Sequence, residues 1–477
     1  MKQKAAGSRI LALLLAVTLL ASLVVPAAAA GRNDLTQLAV EQIDNDLVTA
    51  QLPGQQQQQT NAAQEETHAA SDMIRVSIVL EKKSTLEAGY TAQEVTDSAQ
   101  AMSYRESLQA QQETLSRKIS RVALDGQKLD VVWNLTLAAN IISANVAYGK
   151  LEEIRQVPGV KAVYLETRYE PAVYATGEAD PNMATSGEMI GTSAAYAAGY
   201  TGAGMRIAVI DTGTDTDHKS FDADAFAYAL AEDEKASGEA YDLLDAAEIG
   251  AVLPQLNAYK RTLQNGKPTA ATPTAEQLYG TAKLPFHYNY VDGDLDVTHD
   301  NDDQGEHGSH VAGIATANRY IKTEDGFVSA LEAVKVQGVA PDAQLITMKV
   351  FGKNGGAYDS DYMAAIEDAI LLGCDVVNLS LGSSNPGNTY NETYQSFLEQ
   401  LKETDTVVAV AAGNAGTWAD GAWNGHLYSD AVNLDMVGSP GSYTNALTVA
   451  SADNVGYTGR YLTVQERAIF YTETISR

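Results

Sequence analysis

The chain has 477 residues, enough for two or three domains with a large core, because domains usually run to about 100 to 200 residues. Its formal net charge of -29 argues against a nucleic-acid partner, since phosphate binding needs clustered Lys and Arg. The one cysteine, Cys374, excludes an intramolecular disulfide, and its apolar surroundings favour a small buried side chain.

Residues 1–30 have the pattern of a secretory signal. A basic start with Lys2, Lys4 and Arg9 precedes an apolar run at 10–25 and small residues at 27–30. The apolar run is shorter than the roughly 20 residues that a membrane-spanning helix needs, and no later segment approaches that length. We therefore predict a secreted or extracellular protein without a membrane span after signal removal.

A polar, glutamine-rich stretch at 31–71 is typical of a linker. Residues 72–168 then predict a compact α+β unit. Its elements are a strand at 74–80, a helical stretch at 92–122, strands at 129–137 and 142–148, a helix at 151–156 and a strand at 160–165. Small and polar residues from 168 onwards indicate an exposed connection, which we place at 169–188, before a larger domain at 189–477.

The larger domain contains four apolar runs, at 206–210, 345–350, 376–381 and 407–411, which predict parallel strands buried on both faces. Between them we predict a helix at 361–372, with Ser360 as its N-cap, an apolar face and Gly373 as its stop. Strands alternating with helices predict an α/β fold with a doubly wound parallel sheet. Ligands bind at the carboxyl ends of such strands, where Asp211, Gly382 and Asn414 follow three of them.

Three motifs occur in order: Ile-Ala-Val-Ile-Asp-Thr-Gly at 207–213, His-Gly-Ser-His-Val-Ala-Gly at 307–313 and Ala-Gly-Asn at 412–414. Over roughly 189–451 the chain resembles the subtilisin family of serine peptidases. Gly-Val-Ala-Pro at 338–341 and Val-Val-Asn-Leu-Ser-Leu-Gly at 376–382 are similar to the lactocepin-type cell-envelope branch. The unit at 72–168 is similar to the ferredoxin-like inhibitory propeptide of these enzymes.

This resemblance implies a role for each motif. In peptide-bond hydrolysis through an acyl-enzyme, His307 is the general base, Asp211 orients its imidazole, and Asn414 stabilises the oxyanion. One wall of the substrate cleft is formed by Ser380, Leu381 and Gly382, and the glycine-rich loop at 352–356 is the opposite wall. The implied partners are protein or peptide substrates and the chain's own propeptide.

The nucleophilic serine is not in its expected setting. The serines after Asn414 stand at 429, 439, 442, 451 and 476, none within Gly-Thr-Ser-Met-Ala-x-Pro. We predict a C-terminally truncated zymogen that is inactive as it stands, since the lactocepin-like branch commonly inserts a domain before the serine. The alternative is a degenerate, non-catalytic peptide-binding protein. Wall attachment of a longer protein stays open.

Each motif also has a plainer interpretation. Asp-Thr-Gly alone is common in turns, and an aspartic peptidase would need a second such motif, which the chain lacks. His307 with His310 suggests a metal pair, but zinc peptidases carry His-Glu-x-x-His. We therefore predict no metal site and take His310 as a packed structural residue. Asn414 alone would fit a turn between glycines.

Two acidic segments complete the sequence. Asp-Gly-Asp-Leu-Asp at 292–296 is superficially similar to an EF-hand loop, but its twelfth position is Asp303 instead of glutamate, which favours a solvated loop. No cofactor is required, although a structural calcium ion stays open because family members often bind calcium. Residues 222–284 are an acidic, alanine-rich insertion between Asp211 and His307, and a specificity-shaping role is one hypothesis for them.

Overall fold

The computed structural model describes residues 68–169, 183–238, 240–264, 266–300, 302, 304–353, 355–382, 392–413, 437–443, 446–450, 461–464 and 467–470. The predicted signal at 1–30, most of the predicted linker at 31–71, and Asn414 lie outside the described residues. None of the described helices is both long and apolar enough to cross a lipid bilayer.

The N-terminal unit, residues 68–169, is an antiparallel sheet with helices. Its elements are β1 (Met73–Leu80), α1 (Glu94–Asp97), α2 (Ala99–Val122), β2 (Asp130–Leu135), β3 (Ile141–Ala147), α3 (Leu151–Arg155), β4 (Val160–Leu165) and β5 (Arg168–Tyr169). The strand order is β2-β3-β1-β4, and each neighbouring pair is antiparallel. The first four strands and the helices lie within a few residues of their predicted positions.

The core of the N-terminal unit explains these elements. The Ser98 side chain accepts a hydrogen bond from the backbone N–H of Ala101, which caps the start of α2. Leu115 and Ile119 are buried on one face of α2, in a cluster that includes Val76 and Ile78 of β1. A helical stripe thus covers one face of the sheet, as expected for a two-layer α+β unit.

The larger domain begins with two helices and then alternates strands with helices. Its elements are α4 (Met183–Ile190), α5 (Thr192–Ala197), β6 (Arg206–Asp211), α6 (Ala223–Ser237), α7 (Ala246–Val252), α8 (Asn257–Lys260), α9 (Ala275–Leu278), β7 (Phe286–Asn289), α10 (His307–Thr316), β8 (Tyr320–Thr323), β9 (Gly326–Ser329), α11 (Ala330–Ala333), β10 (Gln344–Lys349), β11 (Ala357–Tyr358), α12 (Asp359–Leu371), β12 (Val376–Leu379), α13 (Glu392–Leu401), β13 (Val407–Ala411), β14 (Leu447–Val449), β15 (Tyr461–Val464) and β16 (Arg467–Phe470).

Within the described residues, the main sheet has six strands in the order β14-β13-β12-β6-β10-β7, and every neighbouring pair is parallel. Helices pack on both faces of its centre. Ala208 and Ile210 of β6 belong to the core that also contains the buried residues of α12, whereas Val209 clusters with Ala312 of α10. The predicted α/β fold with a parallel sheet is therefore confirmed.

Helix α12 corrects one local prediction. The helix begins at Asp359, so Ser360 lies inside it and is not its N-cap. Every side chain from Asp359 to Leu371 is buried, in place of the predicted apolar face alone. Gly373 adopts a positive φ of 70°, which agrees with the predicted stop. The N-cap and the single apolar face were predicted wrongly because the N-terminal unit covers the start of this helix.

The connection between the units is also different from its prediction. Arg168 and Tyr169 form a strand that pairs antiparallel with β11, and Tyr169 is 2% exposed. Helix α4 starts at Met183, inside the predicted connection. The predicted insertion at 222–284 contains α6, α7, α8 and α9, and several of their apolar side chains join the main core. It is therefore a folded part of the larger domain.

Candidate active site

Asp211 and His307 meet at the carboxyl edge of the main sheet. Asp211 is the last residue of β6 and is 1% exposed, and His307 is the first residue of α10. Their side chains are joined by a 2.8 Å contact between His307 Nδ1 and Asp211 Oδ1. The same carboxylate oxygen accepts the backbone N–H of Thr212 at 2.6 Å. The two predicted residues, 96 positions apart in the sequence, are thus brought together.

The hydrogen bond with Asp211 raises the pKa of His307 above its ordinary value, and partial burial acts in the opposite direction. A carboxylate partner holds the Nδ1 proton, so the neutral imidazole presents Nε2 as a proton acceptor. An imidazole held in this tautomer can take a proton from a hydroxyl and later return it to a leaving group. The pair is therefore suited to general acid–base chemistry.

Two glycines permit this close approach. A Cβ added to Gly308 would overlap the backbone of Gly213, and one added to Gly213 would overlap the carbonyl oxygen of Val297. Gly213 also has a φ of 113°, a conformation that other residues rarely adopt. The Gly308 N–H donates to Thr212 Oγ1 at 2.9 Å, which joins α10 directly to the turn after β6. Both motifs need their glycines for packing.

A buried ion pair beside the site was not predicted from the sequence. Lys349, the last residue of β10, lies opposite Asp211 in the parallel register. Its Nζ is 2.7 Å from Asp302 Oδ2, with side-chain exposures of 1% and 2%, and it also donates to the carbonyl oxygen of Thr212. The position of Lys349 beside Asp211 follows from strand pairing. The sequence signal that could have suggested this ion pair is the charged residue, Lys349, at the end of an otherwise largely apolar strand.

The other predicted site residues lie at the same sheet edge or outside the described residues. Leu379, the last residue of β12, pairs with Ile210 of β6. The next residues along the two parallel strands, Ser380 and Asp211, therefore lie at the same edge of the sheet. Leu381 is buried, Gly382 is half-buried, and the Asn378 side-chain amide donates to Ser380 Oγ at 2.9 Å. The site roles proposed for these residues and for Asn414 stay predictions.

His310 does not have the predicted environment. Its side chain is exposed on α10, whereas a packed structural residue was expected. Along the described part of the chain, no group of three or more His, Cys, Asp or Glu side chains could hold a metal ion. In the acidic loop at 292–296, the ammonium of Lys353 lies 3.7 Å from Asp294 and 3.9 Å from Asp296. A basic side chain therefore offsets part of this acidic charge.

Four acidic side chains of α12 are buried, and we call them with their contacts the α12 junction: Asp359, Asp361, Glu367 and Asp368. The N-terminal unit supplies many partners. Trp133 Nε1 donates to Asp361 at 2.7 Å, and the N–H groups of Leu137 and Ala138 donate to Glu367 at 3.0 and 2.8 Å. Arg105 Nη2 lies 3.8 Å from Glu367 Oε2.

Glu166 adds a fifth buried carboxyl group to this interface. It accepts hydrogen bonds from Ser77 at 2.9 Å within its own unit and from Ser360 of α12 at 2.7 Å. The pKa of Glu166 is raised to about 7, mainly by burial; nearby Arg75 acts in the opposite direction, and nearby Asp359 contributes to the increase. The interface therefore contains an acid that titrates near neutral pH.

Residues 255–261, which include α8 and which we call the α8 segment, also contact the N-terminal unit. Arg105 Nη1 donates to the carbonyl oxygen of Gln255 at 3.0 Å, and the Arg261 guanidinium stacks 4.4 Å from the ring centroid of Trp133. The N–H groups of Asn257 and Ala258 donate to Asp368 at 2.6 and 2.9 Å. The predicted insertion thus holds α12 from one side while the N-terminal unit covers it from another.

Residues 202–474 match the subtilase family (peptidase S8), which is more than half of the chain. The chain therefore belongs to the subtilase family. This result agrees with the parallel sheet and with the order of the motifs at Asp211 and His307.

Several curated proteinases are similar to the chain. The PII-type proteinase of Lacticaseibacillus paracasei is 30% identical over 333 residues, covering 69% of this chain and 15% of that protein. The PI-type proteinase of Lactococcus lactis subsp. cremoris is 29% identical with the same coverage. The minor extracellular protease Vpr of Bacillus subtilis is 26% identical over 321 residues, covering 65% of this chain and 29% of that protein. The chain spans less than a third of the length of these curated relatives.

Proposed function

We propose that the chain is the zymogen part of a secreted subtilisin-like serine endopeptidase. The observation that carries this proposal is the 2.8 Å contact between His307 Nδ1 and Asp211 Oδ1 at the carboxyl edge of a parallel sheet. Asp211 orients the imidazole and stabilises its protonated form, and His307 is the general base. Membership of the subtilase family supports the same roles.

The proposed reaction needs a hydroxyl nucleophile. His307 Nε2 takes the hydroxyl proton as the oxygen attacks the scissile carbonyl carbon, and then gives it to the amine when the C–N bond breaks. Water, activated by the same imidazole, hydrolyses the resulting ester. Asn414 would donate to the oxyanion, and Ser380, Leu381 and Gly382 would bind the substrate main chain. Protein or peptide substrates follow from this chemistry.

We propose that these 477 residues do not hydrolyse peptides by themselves. None of the serines after Asn414 lies in the Gly-Thr-Ser-Met-Ala-x-Pro setting. Ser439, one of them, is 1% exposed and hydrogen bonds Ser442 at 3.2 Å. The rival function, a peptide-binding protein without catalysis, is supported by the same missing motif.

We further propose that residues 72–168 are an inhibitory, ferredoxin-like propeptide. The βαββαβ order and the β2-β3-β1-β4 sheet support the ferredoxin-like assignment. The α12 junction supports inhibitory docking, because it places the end of this unit on β11, next to the predicted cleft loop at 352–356. A strand bound at this edge would block an incoming polypeptide.

Secretion and calcium are also proposals. The signal-like pattern at 1–30 supports export, and the extracellular relative Vpr supports it independently. A structural calcium ion is supported by the family resemblance alone, and catalysis needs no cofactor.

The proposed role of His307 is testable without turnover. In the chain from residue 31 to 477, ¹⁵N-detected NMR should find the neutral His307 ring protonated at Nδ1, with a pKa above its ordinary value. Asp211→Asn should lower this pKa, because burial then opposes the charge without the carboxylate. A neutral ring protonated at Nε2 would contradict the general-base role.

The missing nucleophile has its own test. A fluorophosphonate probe should not label this chain, and fluorogenic peptides should not be cleaved. Labelling that requires His307, and is lost in His307→Ala, would show that one of the 477 residues is the nucleophile. The non-catalytic rival would be favoured by three results together. The probe does not label the chain, members of a peptide library bind to it, and NMR does not find the neutral His307 ring protonated at Nδ1.

A further inference from the structure

A pocket of the larger domain is filled by the last described side chain of the N-terminal unit. Tyr169 is 2% exposed, and its hydroxyl donates to Asp359 Oδ1 at 2.8 Å. The ring meets that of Tyr362 edge-on, with 5.5 Å between centroids and 67° between planes. Aromatic pairs prefer this geometry. Tyr169 is therefore a closely fitted occupant and not part of an exposed connection.

The backbone at Tyr169 pairs with the edge of β11 in the way that a separate, extended peptide could. Strand β5 pairs antiparallel with β11, with Tyr169 opposite Ala357 and Arg168 opposite Tyr358. An extended peptide can add to a strand edge through main-chain hydrogen bonds while its side chains enter pockets. A polypeptide bound to β11 in the same register would place one side chain where Tyr169 lies.

The polar end of the pocket is a carboxylate that accepts two phenol hydroxyls. Asp359 is 2% exposed, and its Oδ1 accepts from Tyr362 at 2.5 Å as well as from Tyr169. Its Oδ2 accepts the backbone N–H of Thr167 at 2.7 Å. The ring of Tyr394 packs edge-on against Tyr362, with centroids 5.0 Å apart, so the wall beside the carboxylate is aromatic.

This combination distinguishes tyrosine from phenylalanine. Aromatic walls fit both rings, but only tyrosine brings a hydroxyl to Asp359. A phenyl ring would leave a buried carboxylate with one donor fewer, and a buried acceptor that loses its partner keeps the cost of its desolvation. Sites built to bind a hydroxyl therefore reject the analogue without it far more strongly than apolar pockets distinguish similar shapes.

We propose that the pocket at Asp359 is a tyrosine-selective specificity site, occupied by Tyr169 in the zymogen and by a tyrosine of the substrate polypeptide after residues 168–169 leave β11. Asp359 selects the hydroxyl, and the ring of Tyr362 orients the incoming ring. The identity of the second occupant as a substrate rests on the proposed peptidase function. The selectivity itself rests on the contacts of Tyr169.

The test uses the full chain with Tyr169→Ala, which empties the pocket. The probes are p-cresol, which reproduces the tyrosine side chain, and toluene, which reproduces that of phenylalanine. We expect p-cresol to bind and raise the Tm, with a Kd roughly tenfold or more below that of toluene. Ligand-observed NMR measures both affinities. In the matched control, Tyr169→Ala with Asp359→Leu, this preference should be lost or reversed.

Equal affinities for the two probes would overturn the proposal, because the pocket would then select by shape alone. Failure of both probes to bind a folded Tyr169→Ala chain would overturn it as well. If that variant does not fold, a double-mutant cycle replaces it. Tyr169→Phe should lower the Tm of the parent chain and have little effect in the Asp359→Leu background. Strictly additive effects would then overturn the proposal.

These outcomes are separate from those of the peptidase proposal. The His307 titration does not involve Tyr169 or Asp359, and probe binding does not require a nucleophile. A preference for p-cresol in a protein whose His307 fails its NMR test would assign the tyrosine site to the peptide-binding rival. Loss of the preference with a correct His307 tautomer would leave the peptidase proposal intact and reject the tyrosine site.

Discussion

The candidate active site and the α12 junction both bury acidic side chains, but they draw their partners from different parts of the chain. Asp211 is bonded to His307, which belongs to the same domain and follows a recognisable motif. Glu367 is bonded to backbone N–H groups of Leu137 and Ala138, about 230 positions away in the N-terminal unit. One site is internal to the larger domain, and the other depends on a second unit.

This difference has a physical consequence. A buried charge without a partner is costly, so the acids of α12 favour the docked N-terminal unit, whereas Asp211 and His307 can keep their contact without it. The α8 segment adds to this dependence, because Gln255 and Arg261 contact the same unit. Docking and the acid–base pair should therefore respond to different mutations.

The largest effect is expected at the ion pair beside the active site. Lys349→Met should lower the free energy of unfolding by about 3 to 5 kcal/mol, because it leaves the buried Asp302 carboxylate without its ammonium partner. Chemical denaturation measures the change. Lys353→Met, which removes a partly exposed lysine 3.7 Å from Asp294, is the control and should cost less than about 1 kcal/mol. Similar costs for both variants would contradict a structural role of the buried pair.

At the α12 junction, Arg105→Met should cost about 3 kcal/mol. The expected loss is near the lower end for a broken buried pair, because Glu367 keeps its hydrogen bonds from Leu137 and Ala138. Hydrogen exchange at these two N–H groups should accelerate, since they lie at the docking surface. Arg117→Met, on the exposed face of the same helix, is the matched control. Unchanged exchange at 137 and 138 would contradict the proposed docking role.

The main elements of the N-terminal unit and four strands of the main sheet were predictable, because they depend on local apolar patterns. The strand predicted at 407–411 is observed as Val407–Ala411, and the one predicted at 160–165 is Val160–Leu165. The motif glycines also marked the active-site pair, since only glycine permits the contact between Gly213 and Gly308. Chain-local signals were therefore sufficient for four strands of the main sheet, and the ordered motifs marked the two residues, Asp211 and His307, that the structure brings into contact.

The predictions failed where a distant segment decides the outcome. Serine is a preferred N-cap residue, which is why Ser360 was predicted to cap the helix. Its hydroxyl instead forms hydrogen bonds with Glu166 and Ser143 of the N-terminal unit. Tyr169 stands among small and polar residues that suggest an exposed connection, and its burial depends on Asp359, 190 positions away. No periodicity within a short window can report such contacts.

The pH dependence of stability should distinguish the docking surface of the N-terminal unit from the pair Asp211 and His307. The pKa of Glu166 in the folded protein, about 7, exceeds the ordinary value of 4.5. Its stabilising contribution is thus complete below pH 4.5 and is lost as the pH rises through 7. Glu166→Gln should remove this loss, so its stability relative to the parent should increase by up to about 3 kcal/mol between pH 4.5 and 8.

Thermal unfolding at a series of pH values measures this difference. Glu152→Gln, an exposed acid of the same unit, is the control and should not change the slope in this window. A parent protein whose stability rises between pH 5 and 7, with the same profile in Glu166→Gln, would contradict the prediction. The His307 titration should be unchanged in Glu166→Gln, because the hydrogen bond between Asp211 and His307 lies within the larger domain.

The smallest change in the free energy of unfolding is expected for a substitution that disturbs the packing of the active site. Gly308→Ala places a Cβ against the backbone of Gly213, so α10 must move away from β6. Overpacking of this kind costs about 1 to 3 kcal/mol. The more specific result should be a weaker contact between His307 and Asp211, seen by NMR as a lower pKa of His307. Gly313→Ala, on the same helix with open space around it, is the control and should leave that pKa unchanged. If Gly308→Ala destabilises the protein but leaves the His307 pKa unaltered, the glycine serves folding alone and the pair does not depend on this approach.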